Sequence, residues 1–339
     1  MKHFRLSFVF TALCLGLAFW WGLESGKSIY NVMALVVILS ILEVSLSFDN
    51  AVVNASVLKD MDERWQRYFL TWGILIAVFG MRLVFPILIV AVTAGLSMST
   101  VVTLSLEDPE QYSTYLAASH VQVAAFGGMF LFLIFLNYFF QKDKNVHWLG
   151  PVEKALVLIS AKIESISIII ALLLLLTAQA LLPESDRGAA LVYGLSGIVL
   201  YAFVDSLSKM MSPQAGEAVK RNGLMGFIYL QILDASFSFD GVLGAFAITN
   251  DIIIIMLGLG IGAMFVRSMT IFLVRQGTLE EYVFLEHGAH YAIGALGAIM
   301  LMSMTFHVPE IVTGLIGVAF IGWSLVSSVR HEKRKPVNE

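Results

Sequence analysis

Apolar residues in this chain neither alternate nor keep to one helical face. They fill long, nearly unbroken runs near residues 4–22, 30–58, 68–95, 118–140, 155–182, 189–208, 224–249, 252–274, 286–306 and 309–329. Each run is long enough to carry a helix across about 30 Å of hydrocarbon. The pattern therefore predicts an all-α polytopic membrane protein with ten transmembrane helices. The first run follows a basic start, as a secretory signal would, yet it ends in Phe19-Trp20-Trp21 and not in the small residues of a cleavage site. A retained first helix is expected.

Polar positions between the runs set the orientation. Sixteen of the 21 Lys and Arg fall at the two termini and in every second connector, while the other connectors hold only Lys27 and Arg187. The remaining three, Arg82, Lys162 and Arg267, lie within or at the edge of runs. Positive charge collects on the cytoplasmic side of a membrane protein, so ten spans with both termini cytoplasmic are expected. The longest outer connector, around "LEDPEQYS", is acidic and reads as a solvated loop.

The polar residues inside the runs repeat. "LEVSLSFD" (residues 42–49) and "LDASFSFD" (233–240) agree at five of eight positions, with Glu against Asp at a sixth. Downstream, "GILIAVFGMR" (73–82) aligns with "GLGIGAMFVR" (258–267), and both end in an intramembrane arginine. A weaker match sets "HVQVAAFGG" (120–128) against "HGAHYAIGA" (287–295). An internal duplication follows. Its motifs fall on the second and seventh spans, which cross in opposite directions, so the chain divides into inverted five-helix repeats, 1–183 and 184–339, of one integral membrane domain. Secondary transporters recur in this construction, with their sites near the bilayer midplane.

Both motifs alternate carboxylate, hydroxyl, hydroxyl and carboxylate: Glu43, Ser45, Ser47 and Asp49, then Asp234, Ser236, Ser238 and Asp240. On a continuous helix Glu43, Ser47, Asn50 and Asn54 form one stripe, and Ser45 with Asp49 another. Local unwinding would instead bring all four oxygen-bearing side chains to one side and free backbone carbonyls beside them. Asn50 and Gly241, which follow the two aspartates, tolerate such a break. Carboxylates at membrane depth are costly unless compensated. Arg82 and Arg267 balance two of the four, and a divalent cation would balance the rest. All-oxygen ligation favours Mn²⁺, Ca²⁺ or Mg²⁺. The expected metal site is Glu43, Ser45, Asp49, Asn50, Asp234, Ser236 and Asp240, with Arg82 and Arg267 as counter-charges. A purely structural carboxylate–arginine core, or protonated acids in a proton-coupled carrier, are the other readings of the same residues.

Composition narrows the classes further. Hydrophobic residues make up 58 % of the chain and charged ones 14 %, with a mean hydropathy of +0.83, which no soluble core requires. A net charge of −4 and the lack of a basic stripe set nucleic acid aside. The single cysteine, Cys14, cannot form an internal disulfide. No His-Glu-x-x-His, nucleophile elbow or Walker loop occurs, so neither an enzyme nor an ATP-driven pump is expected, and no prosthetic group is implied. His287 and His290 sit one turn apart, a spacing that permits a shared metal, but two ligands are too few and capping or pH-sensitive gating is preferred. Glu164 is a candidate pathway carboxylate in the fifth span, His120 a satisfied polar residue, and Asp205 with Lys209 a surface pair.

The segments "LEVSLSFDNAVVNA", "GILIAVFGMR", "LDASFSFDGVLGAFAIT" and "GLGIGAMFVR" resemble the paired signatures of the TerC family of bacterial integral membrane proteins. The closing "HVPEIVTGLIGVAFIGWSLVSS" is similar to that family's last helix. The resemblance covers roughly residues 34–95 and 224–330. It implies a divalent-metal carrier in the bacterial inner membrane, Mn²⁺ export above all, with metal supply to exported proteins and tellurite resistance also attached to the family. By the same resemblance the family's acidic pairs fall on Glu43 and Asp49 and on Asp234 and Asp240. Gly241, where the family carries Asn or Ser, and the extra first helix mark a longer branch. Two other functions stand beside cation transport: a carrier of small organic solutes whose arginines bind a carboxylate, and a non-transporting scaffold that binds metal or a secretion partner.

Overall fold

The computed structural model describes residues 4–59, 61–140, 146–151, 153–154, 166–210, 223–276, 282–306, 308 and 310–332; the side chains of Asp49 and Asp240 lie outside what is described. All regular structure among the described residues is helical. Fourteen α-helices follow in chain order: α1 (Arg5–Glu24), α2 (Ile29–Leu46), α3 (Phe48–Leu58), α4 (Glu63–Leu75), α5 (Phe85–Ala94), α6 (Met98–Glu107), α7 (Pro109–Ala118), α8 (His120–Phe139), α9 (Ile166–Ala180), α10 (Glu184–Met210), α11 (Leu224–Ile248), α12 (Ile252–Arg275), α13 (Leu285–Ser303) and α14 (Glu310–Glu332). A π-helix, Ile76–Val84, joins α4 to α5. Each of the ten expected runs holds helix. Six helical stretches among the described residues are long and apolar enough to cross a membrane: Arg5–Glu24, Ile29–Leu46, Ile76–Ala94, His120–Phe139, Glu184–Ser206 and Ile252–Arg275.

The chain forms two compact units, each drawn from two separate segments of the sequence. The first comprises residues 1–120 and 221–272, the second 121–220 and 273–339. In the first unit α2 lies against α12 so closely that a Cβ at Gly258 would stand 2.5 Å from that of Leu39, and a Cβ at Gly262 2.5 Å from that of Glu43. Apolar side chains gain little by leaving lipid for one another, so tight backbone approach through small residues is what associates such helices. The intervening Gly260 faces Val78 and Phe10. α1 is fastened to the same helix at both ends. Ser7 donates to the Met264 carbonyl at 2.8 Å, and Trp21 and Lys27 reach the Asp251 carboxylate at 2.9 and 2.5 Å.

Three local features depart from the sequence expectation. The second span is interrupted at a single residue, Ser47 (φ −104°, ψ 16°), between α2 and α3, whereas α11 runs unbroken through Gly241. The third run widens into the π-helix just before Pro86 in the first turn of α5, where a proline ring would otherwise meet the carbonyl four residues back. The segment around "LEDPEQYS" is no open loop: Asp108 ends α6, accepts from the Gln111 amide at 3.0 Å and so caps α7, with Pro109 in its first turn. Tyr112 of α7 is buried against Phe246.

The second unit is also built on glycines. Gly128 of α8 approaches Leu301 and the Gly297 carbonyl of α13, and a Cβ at Gly197 of α10 would stand 2.3 Å from the Phe126 carbonyl oxygen. Gly288 of α13 meets Ser324 of α14.

Candidate functional site

Glu43, at the last turn of α2, is 1 % exposed because Gly262 lets α12 close over its stem. Its Oε1 accepts from the Ser47 hydroxyl at 2.8 Å and from Nη2 of Arg82, which is itself buried. Nη1 of Arg82 donates to the Ala77 carbonyl within the π-helix. The wide turn thus serves the arginine directly, as π-helical turns at functional sites do. The other oxygen, Oε2, lies 3.0 Å from where a Cβ at Gly241 would stand. Glycine at this departure from the TerC-like pattern is what leaves Glu43 its space.

Above this ion pair is a small polar cavity of about 30 Å³, lined by Ser47, Asn50, Asn54, Arg82, Asp234, Ser238, Arg267 and Thr270, with Phe69, Gly73, Ala77, Ala263 and Val266 as its apolar wall. Waters or a small ion fit this space. The only hydrogen bond to Asp234 among the described ones comes from Asn54 Nδ2, at 3.4 Å. Asn54 Oδ1, Ser238 Oγ and the Nε atoms of Arg82 and Arg267 are buried without a hydrogen-bond partner among the described residues. Buried polar atoms left unsatisfied are costly, and two of these four are oxygens able to ligate a cation. Arg267 makes no ion pair with a described carboxylate.

The lining follows helical spacing, and this corrects the choice of ligands. Glu43, Ser47, Asn50 and Asn54 are all buried, as one stripe of a helix, while Ser45 is exposed. The break at Ser47 is too short to turn successive oxygens to one side. In the second motif Asp234 and Ser238, four residues apart, line the cavity; Ser236 is buried but donates to the Ile232 carbonyl at 2.9 Å. Asn54, Ser238 and Thr270 therefore join the site, and Ser45 and Ser236 do not. Asp49 lies on α3 and Asp240 on α11, their side chains outside the described residues, and Glu164 lies outside them altogether. Among the described residues no three His, Cys, Asp or Glu side chains converge as a metal cage.

His287 and His290 belong to the second unit and turn to different partners. His287 pairs Nε2 with the Val146 carbonyl at 3.0 Å and Nδ1 with the Tyr138 hydroxyl at 3.3 Å. His290 faces the Glu286 carbonyl at 2.8 Å and stacks on Tyr138, ring centroids 3.5 Å apart. The spacing that permits a shared metal is thus spent on separate contacts. Beside His287 stands Glu153, a buried carboxylate that the apolar pattern conceals because it lies where the fifth run begins.

Residues 48–335 match the family model described as "Protein of unknown function (DUF475)", which spans most of the chain, and the chain belongs to that family. Glu43 and α1 precede the matched region. No curated protein and no solved structure gives a significant match.

Proposed function

We propose that this member of the DUF475 family is a polytopic membrane carrier of a small, hard divalent cation, with Mn²⁺ as the leading substrate and export as the direction. One observation carries the reading: side chains from both copies of the acidic motif, and the arginine that follows each copy, line one cavity of ionic size in the first unit. Asp234 is the carboxylate ligand, Asn54 Oδ1 and Ser238 Oγ are neutral oxygen ligands, and Asp49 and Asp240 are the further acids the motifs supply. Such a donor set suits Mn²⁺, Ca²⁺ or Mg²⁺. Glu43 and Arg82 form a neutral pair beneath it, so the charge a cation must balance comes from the remaining acids less Arg267.

The rest of the proposal follows from the sequence. Ten spans place both termini in the cytoplasm, and the two motif-bearing segments cross in opposite senses, so that the carrier alternates access around the cavity. Supporting this assignment is the resemblance to TerC proteins, which names divalent metals and the bacterial inner membrane. Mn²⁺ binding to the purified protein tests it: the wild type should bind stoichiometrically, and Asp234→Asn and Asn54→Leu should each weaken binding at least tenfold. Unchanged binding in both variants would move the site out of this cavity, and stoichiometric binding without flux would favour the scaffold.

A further inference from the structure

The second unit buries a carboxylate that the cation reading leaves unused. Glu153 is 1 % exposed. Its Oε1 accepts from the Leu149 amide at 3.1 Å and the Tyr291 hydroxyl at 3.3 Å, and its Oε2 from the Trp148 amide at 3.2 Å. Two imidazoles face that second oxygen just beyond hydrogen-bond reach, His147 through Nδ1 at 3.5 Å and His287 through Nε2 at 3.6 Å. No Lys or Arg pairs with Glu153 among the described residues. The remaining titratable groups around it are Tyr138 of α8, stacked on His290 and hydrogen-bonded to His287, Glu286 in the first turn of α13, and His331 of α14 against the Phe284 ring.

We propose that Glu153, His287 and His147 form a proton-binding site, in which an imidazole takes up and releases one proton beside the carboxylate. The two amides alone would be an ordinary cap, in which a glutamate reaches back over its own helix start. A cap does not call for two imidazoles, the buried His287 and the partly exposed His147, on the outer oxygen. Hydrogen bonding around His287 accommodates both of its states. When it is neutral, Nε2–H donates to the Val146 carbonyl and Nδ1 accepts from the Tyr138 hydroxyl. When a proton is added at Nδ1, both nitrogens donate, and the Tyr138 hydroxyl turns to accept, which its lone pairs allow. The charge then changes: a buried carboxylate that no Lys or Arg pairs with among the described residues comes to face an imidazolium. His147 offers a second seat, since its Nδ1 is buried, without a hydrogen-bond partner, and aimed at the same oxygen.

The site stands independently of the cation cavity; where the cation reading holds, the proton bound here is the ion coupled to transport. The decisive experiment is metal-free: NMR titration of histidine-labelled protein, with the His287 signal identified by its loss in His287→Gln. In the wild type His287 should titrate reversibly, and in Glu153→Gln, which keeps an acceptor for one of the two amides, it should hold its proton at least tenfold more weakly. If that variant does not fold, Tyr291→Phe removes one donor from the carboxylate and should tighten the proton instead. An His287 that never titrates in the folded protein, or that titrates alike in all three, overturns the proposal. Where Mn²⁺ flux is present, Glu153→Gln should keep the flux and lose its dependence on a pH gradient; unchanged dependence refutes the coupling. A wild type without flux refutes the cation reading alone.

Discussion

At the scale of single residues, the first unit turns on what surrounds Glu43. A buried ion pair contributes little net stability, but removing one partner strands the other charge, typically at about 3–5 kcal/mol. Glu43→Ala should therefore lower thermal stability in detergent by an amount of that order, since Arg82 is buried and Glu43 is its ion-pair partner among the described carboxylates. The double variant Glu43→Gln with Arg82→Gln should recover most of the loss, and a cycle without coupling would show that the pair is not energetically linked. Gly262→Ala should be destabilising too, because its Cβ would fall 2.6 Å from Glu43 Cγ and 2.8 Å from the Ser40 carbonyl oxygen. A melting temperature equal to the wild type's would show that α2 and α12 are not so closely apposed.

At the scale of elements, Asp251 makes the clearest case. It caps α12 through the Ile253 and Ile254 amides and holds the N-terminal region through Trp21 and Lys27. Burial pushes its carboxyl up, but hydrogen bonds from Lys27, Trp21 and the Ile254 amide outweigh burial and hold it below the usual carboxylate value. A lowered value in the folded state means that the stabilisation is present above the unfolded carboxylate's titration, near 4, and is lost as pH falls through the folded value. Melting measured from neutral pH down to about 3 should fall off more gently in Asp251→Asn than in the wild type; parallel curves would show that Asp251 does not anchor the N-terminal region. Elements were also where the sequence was most and least legible. Long apolar runs announced the helices, because burial in lipid leaves no other regular structure for them. The break at Ser47 and the π-helix were hidden, since both are marked by polar contacts one turn away that an apolar pattern does not carry: Ser47 donating to Glu43, and Arg82 reaching back to Ala77. The helical stripe from Glu43 to Asn54 was legible, and the period-two alternative that admitted Ser45 failed because a single irregular residue does not unwind a helix. Asp108 capping α7 was written in "EDPEQ", but the acidic composition masked it.

At the scale of the whole molecule, the two units do not follow the division at residue 183. Each takes segments from both sides of that boundary, with the motif helices and their arginines in the first and the histidine segment after residue 286 in the second. The family match beginning at residue 48 includes Arg82, Asp234 and Arg267 but not Glu43, so the cavity lining apart from Ser47 belongs to the shared region, and the buried pair beneath it is completed from outside. The measurement that bears most directly on this account is Mn²⁺ flux into proteoliposomes of the purified protein, beside Asp234→Asn and the folded Glu43→Gln, Arg82→Gln double variant. The account predicts flux in the wild type, its loss in Asp234→Asn, and its persistence at reduced rate in the double variant, where the cavity's own ligands remain. Flux that survives in Asp234→Asn at the wild-type rate, or a wild type that moves no cation, would contradict it.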